Sequence, residues 1–319
     1  MLFGKYMTIL ITTIPRMFAV LAIGFAAFMQ SSCPGTKTAN NSTVASTTPA
    51  LANANTLTAP TAKSGMKLFV PSYFSENQFS GNNGGNGGDW DKLISALKPG
   101  DVLIINPNSG PTYDPKDEVK NKAGQAAFKK IVIAAKSKYK DQPEGIVILG
   151  YVHTLDGKNN VRPVDEITKE IDIYQKVFEL KDIFFDEFTD TPNTPNSTFP
   201  YYSEICKYVK TNGGRTTLNP GAVAKEPFAK ITDWIVVFES PFDSYKQYLT
   251  DHWEWSLKPE YHDKIVHLIL GTDEKYWKPV IKRARDANSA YAYVTDFSGG
   301  KEWDKLASYW DEEVVEIRK

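Results

Sequence analysis

The patterning of this chain predicts an α/β fold, a closed (β/α)8 TIM barrel in a single domain preceded by a signal peptide and a disordered linker. Three observations carry the expectation. From Lys67 onward, short runs rich in Val, Ile, Phe and Tyr alternate with longer segments of helical period, the signature of repeated βα units. Eight such runs fill about 250 residues at ~32 per unit, the size typical of these barrels. The rival, an open doubly wound sheet, would want a G-x-G-x-x-G at its first strand-to-helix turn, and none is present.

Taken in chain order, residues 1–33 read as an export signal. Lys5 and Arg16 precede a continuous apolar run from Met17 to Met29, about the length of a secretory core and short of a membrane span. Ser31, Ser32 and Cys33 follow. That ending resembles a bacterial lipoprotein signal with Cys33 as the lipidated residue; an ordinary signal peptide with an incidental cysteine is the alternative. Residues 34–66 are rich in Ala, Thr, Asn, Ser and Pro and nearly free of large apolar side chains, so they form a spacer that cannot offset its ordering entropy by burial.

The eight strand candidates are Leu68–Tyr73, Val102–Asn106, Ile146–His153, Ile183–Asp186, Thr216–Asn219, Trp234–Phe238, Val266–Leu270 and Ala290–Thr295. Helical candidates are Trp90–Leu97, Ala126–Lys138, Val164–Phe178, Tyr201–Thr211, Trp277–Ala287 and Trp303–Tyr309. In the third of these Val164, Ile167, Ile171 and Tyr174 recur at three- and four-residue steps, one apolar helix face. The connection from Gly221 to Asp233 is the weakest helix signal. Ser80–Gly88, all Gly, Asn and Ser apart from its flanks, lacks the Lys-Ser/Thr ending of a phosphate cradle and reads as a flexible loop over the mouth.

Composition narrows the chemistry. With 37 basic and 38 acidic residues the formal net charge is −1, which argues against a nucleic-acid partner. Two cysteines make no disulfide scaffold, and Cys206 in an apolar-periodic segment is expected to be a buried, inert thiol. The four histidines include no H-E-x-x-H, so no metal site or cofactor is expected. Serine catalysis lacks its G-x-S-x-G elbow.

Barrel enzymes carry their chemistry at the C-terminal ends of strands. Six of the eight runs end in polar residues: Asn106 and Asn108, Tyr151 and His153, Asp186 and Glu187, Asn219, Glu239, and Asp296. Any one alone is more readily a turn former or helix cap. Recurrence on six strands argues that they ring one mouth. Asp186, Glu187, Glu239 and Asp296 are carboxylates, and a pair of these suffices for glycoside hydrolysis, one giving a proton and one attacking. Crowding raises the pKa of at least one. Because strand residues alternate faces, only one of Asp186 and Glu187 enters the mouth unless the strand breaks there. With Asp186 as nucleophile and Glu239 as acid/base, their carboxyls should lie roughly 5 Å apart for a retaining enzyme, against roughly 6.5–9.5 Å for an inverting one. His153, Tyr73, Tyr151, Trp253, Trp255 and Trp277 are candidates to bind or stack on sugar, with a structural role beneath the mouth the alternative for His153 and core packing the commoner role of each single aromatic.

The segments VPSYF (Val70–Phe74), VLIINPNSGP (Val102–Pro111), GYVHT (Gly150–Thr154), IFFDE (Ile183–Glu187), LNPG (Leu218–Gly221), VVFE (Val236–Glu239) and YVTD (Tyr293–Asp296), with SYWDEE near the end, resemble the spherulation-specific family 4, the spherulin-4-like proteins, from about Leu68 to Glu313. The resemblance implies a (β/α)8 barrel related to secreted glycoside hydrolases that cut galactosamine-containing polysaccharides. It also implies a catalytic set of Asp186, Glu187 and Glu239. Ser80–Gly88 is longer than the family's usual loop, and Leu155–Val161 is more polar and extended. The combined expectation is an exported, monomeric, endo-acting and retaining hydrolase of an amino-sugar polysaccharide, cationic where deacetylated and drawn to the acidic mouth. Its only membrane contact would be a lipid on Cys33. The alternative is a non-catalytic cell-surface protein binding polysaccharide on the same mouth.

Overall fold

The computed structural model describes residues 65–83, 87–142, 145–190, 197–248 and 254–319. The signal, Cys33, nearly all of the spacer and Trp253 lie outside these residues. Eight parallel strands close into one barrel in the order β1 to β8. They are β1 (Lys67–Ser72), β2 (Val102–Ile105), β3 (Val147–His153), β4 (Asp182–Asp186), β5 (Thr216–Leu218), β6 (Trp234–Pro241), β7 (Ile265–Leu270) and β8 (Tyr291–Val294). Each falls on its expected run within a few residues.

The helices are α1 (Ser80–Asn83), α2 (Asp89–Ala96), α3 (Glu118–Ser137), α4 (Val164–Ile173), α5 (Phe199–Thr211), α6 (Glu226–Ile231), α7 (Phe242–Tyr248), α8 (Trp277–Asp286) and α9 (Trp310–Ile317). A wider, π-helical turn, Tyr174–Phe178, continues α4. The expected helix Trp303–Tyr309 is instead irregular chain ahead of α9. Its aromatic residues pack inward without helical period, since Trp303, Leu306, Ala307 and Tyr309 are all buried. Among the described residues no helix is long and apolar enough to cross a membrane.

Alternation along the strands fills the barrel and points residues at its mouth. Phe69 from β1 meets Phe184 from β4 at 6.3 Å and Tyr291 from β8 at 6.0 Å, and Tyr291 meets Trp234 from β6. One layer up, Tyr151 of β3 lies on Phe184 and edge-on to Tyr73. Two residues past Phe184 on the same face comes Asp186. Strand β6 departs from this alternation. Its register with β7 slips between Val236 and Phe238, an inserted residue that reverses which side chains face inward. Trp234 and Glu239 are therefore both inside although Glu239 stands five positions on, an odd step that strict alternation would put on the opposite face, and Phe238 turns out onto Tyr245 of α7.

The far end of the barrel is closed by Asp101. Its fully buried carboxylate accepts from the Leu68 and Lys98 amides and pairs with Arg318 at 2.8 Å, tying the chain's last residues to β1 and β2. Cys206 is buried on α5, and burial pushes its thiol pKa to about 12.

Candidate active site

The mouth is organised around one amide. Asn219, just past β5, donates from Nδ2 to Asp186 Oδ1 at 2.7 Å and to Glu239 Oε2 at 2.5 Å. Its Oδ1 accepts from the Gly221 amide, which fixes the amide's orientation so that the NH2 group faces the acids. Since both carboxylate oxygens sit on one nitrogen, they lie within about 5 Å of each other. The remaining Glu239 oxygen accepts from the Trp303 indole at 3.1 Å. Asp186 also takes a hydrogen bond from Tyr151.

Electrostatics follow from this crowding. Burial raises the Asp186 carboxyl above its usual range, opposed by the hydrogen bonds from Tyr151, the Glu187 backbone and Asn219. Burial and the neighbouring Asp186 charge push Glu239 to about 8. Two acids this close retain a proton between them at neutral pH.

Strand β4 does break after Asp186. Glu187 takes a left-handed backbone, φ 55°, a conformation uncommon for a side chain of its kind and characteristic of special sites. The turn leaves Glu187 exposed at the rim. Partial burial and the Asp186 charge push its pKa to about 7.

The other expected residues divide into two groups. Tyr73 is half-buried beside Tyr151, with its phenol raised well above its ordinary pKa by burial and by the charges of Asp186 and Glu239. His153 tops β3 in register with Asp186. These two stand with Tyr151, Asn219 and the acids. Asn106, Asn108 and Asp296 hold loops instead. Asn106 Oδ1 accepts from Gly110, the exposed Asn108 donates to the Tyr113 carbonyl, and Asp296 accepts from the Ser308 amide. This is the turn-forming use that such residues serve after strands.

Of the tryptophans within the described residues, Trp255 and Trp277 serve core packing and not sugar stacking. Trp255 is buried with its indole on the Ala224 carbonyl, and Trp277 is buried in a stack on Tyr309. Ser80–Gly88 is pinned in its described part: Ser80 and Gly88 bond to Asp91, and Asn82 reaches the Ala127 carbonyl on α3. Leu155–Val161 closes on itself as a bridged loop around Asp156. Sequence reading missed Trp303, whose only signal was its aromatic character in a stretch mistaken for helix. It also missed Arg162, which pairs with Glu170 at 2.7 Å behind His153. Among the described residues no group of three or more His, Cys, Asp and Glu side chains is placed to hold a metal ion.

With this geometry established, the sequence matches the model of the spherulation-specific family 4 over residues 67–317. The chain belongs to this family. The spherulation-specific barrel is similar in structure to Aspergillus clavatus Sph3, solved in complex with GalNAc, at 19% identity and TM-score 0.57, covering 80% of this chain and 98% of that one. Active domain 2 of a Pyrococcus furiosus chitinase, solved with chito-oligosaccharides, gives 10% identity and TM-score 0.45 over 80% and 96% of the two chains. The catalytic module of a Streptococcus pneumoniae family 98 glycoside hydrolase gives 14% identity and TM-score 0.29 over 73% and 37%. At 19% identity the likeness to Sph3 is one of fold. Comparison with curated protein sequences finds no match.

Proposed function

We propose that this protein is an exported glycoside hydrolase that cleaves an amino-sugar polysaccharide within its chains and retains the anomeric configuration. The observation that carries the reading is the placement of Asp186 and Glu239 on the single Asn219 amide, within about 5 Å of one another, the spacing of a retaining pair. Asp186 is the nucleophile, its anion held by Asn219 and Tyr151. Glu239, with a pKa near 8, remains protonated at neutral pH and is the general acid. In the first step Glu239 gives its proton to the glycosidic oxygen, the bond from the anomeric carbon to that oxygen breaks, and Asp186 bonds to the carbon. In the second, Glu239 takes a proton from water, whose oxygen displaces Asp186 and frees the sugar. No metal or organic cofactor enters either step.

Glu187 at the rim, about half ionised at neutral pH with its pKa pushed to about 7, adds partial negative charge where a polymer would pass, which favours units carrying a free amine. The galactosamine class is supported by the GalNAc that Sph3, similar in fold, was solved with. Export, with a lipid on Cys33 as anchor, rests on the N-terminal sequence pattern.

The test is product analysis with partly deacetylated galactosamine polymer. Asp186→Asn and Glu239→Gln are expected to abolish turnover while leaving polymer binding measurable, because each preserves shape and removes only the chemical role. Hydrolysis at the parent rate by both variants rejects the hydrolase reading. Binding without any turnover by the parent protein identifies a polysaccharide-binding barrel.

A further inference from the structure

The corner of the mouth formed by β3 and the loop after β2 is built around His153, and this construction has no part in the two proton transfers above. His153 Nδ1 lies 2.9 Å from the Ser109 carbonyl and 3.4 Å from Arg162 Nη1, so the carbonyl is its closer partner. A carbonyl only accepts, so this nitrogen carries the ring's hydrogen. The loop is bent to present that carbonyl: Ser109 has φ 53°, and the Gly110 amide that follows is held by Asn106. A left-handed serine is a local cost kept by its surroundings.

Behind the ring, Arg162 Nη1 donates to the His153 carbonyl at 2.8 Å, and its Nη2 pairs with Glu170. The charged groups around the imidazole are Arg162 and Glu170 on one side and Asp186 on the other. Burial and Arg162 together lower the basicity of the ring. The other ring nitrogen, Nε2, has no hydrogen-bond partner among the described residues, and His153 is only half-buried, next to Asp186 in register.

We infer that His153 is a specificity-determining residue whose bare Nε2 accepts a hydrogen bond from an uncharged donor, a hydroxyl of the sugar ring bound beside Asp186, with Ser109 and Arg162 as positioning residues. The inference rests on the glycan reading above and refines it. Nε2 without a hydrogen can only accept, which suits a ring hydroxyl at this corner, and the cationic units of the polymer lie outward, toward Glu187.

The experiment is long-range proton–nitrogen NMR of the histidine rings, with N-acetylgalactosamine and galactosamine as probes. The free protein is expected to show His153 protonated at Nδ1 only. N-acetylgalactosamine should shift Nε2 together with the Trp303 indole, which reports occupancy because it bonds to Glu239. His153→Asn keeps a donor for Ser109 and leaves the Nε2 position empty, and it should weaken binding about fivefold to tenfold. His153→Gln, whose amide oxygen reaches that position, should bind close to the parent. A proton on Nε2, a response to galactosamine alone, or a sugar that moves Trp303 but not His153 overturns the inference and leaves the glycan reading standing. A titration that moves neither residue overturns both.

Discussion

Asn219 decides the chemistry of the mouth because one amide nitrogen serves two acids. It brings Asp186 and Glu239 together and stabilises their anionic forms, yet burial outweighs its effect and raises both. The consequence for rate is a basic limb. The acid must be protonated to act, so activity should fall as pH rises through about 8, the value to which Glu239 is pushed. A pH profile of kcat/KM checks this, and loss of activity already above pH 6 contradicts the assignment. The consequence for stability has the same origin. A carboxyl whose folded pKa stands above its ordinary 4.5 destabilises the fold increasingly as pH climbs from 4.5 toward 8. Glu239→Gln should therefore stabilise the protein by about 1–2 kcal/mol, with the gain larger at pH 8.5 than at pH 5. Thermal unfolding at the two pH values measures it.

At the scale of the element, two devices aim these side chains. The inserted residue in β6 turns Glu239 inward where strict alternation from Trp234 would turn it out. Without it the second acid would face the helices. On β3, Gly150 lets the ring of Tyr174 lie flat against the strand, where its hydroxyl donates to the Tyr151 carbonyl at 2.9 Å. A Cβ at Gly150 would stand 2.6 Å from that ring. Gly150→Ala should cost about 1–3 kcal/mol through overpacking, and by displacing β3 it should also lower activity. Chemical denaturation and an activity assay at a temperature where the variant is folded separate the two effects. An unchanged denaturation midpoint contradicts the packing argument.

For the whole molecule, net charge is near zero while acids gather at one mouth, so the negative field is local to the site. Screening acts on such exposed charges and not on the buried pair. On the proposed export, delivery of the barrel to its substrate rests on the N-terminal sequence pattern. If Cys33 carries lipid, Cys33→Ala should move the protein from a detergent-extracted membrane fraction to the soluble exported one and leave barrel activity unchanged. Identical fractionation of the two forms rejects the anchor.

The barrel was legible in the sequence because strand and helix periods are local properties. Eight buried runs, six of them with a polar ending, need no knowledge of their neighbours, and Tyr151, Asp186 and Asn219 could be read off as inward residues at strand ends. The same local reading failed wherever a residue's role depends on distant chain. Asn106, Asn108 and Asp296 share the signature of Asn219, and only the loops folded over them show that they bind backbone. Trp255 and Trp277 could serve sugar stacking or core packing by sequence, and only their buried partners decide for packing. Trp303 meets Glu239 across 64 residues of sequence, and the slip in β6 is a property of its pairing with β7. Sequence alone determined which residues were available at the mouth, since periodicity fixes faces. Tertiary structure decided which of them converge, because convergence depends on register, loop closure and contacts between segments far apart in the chain.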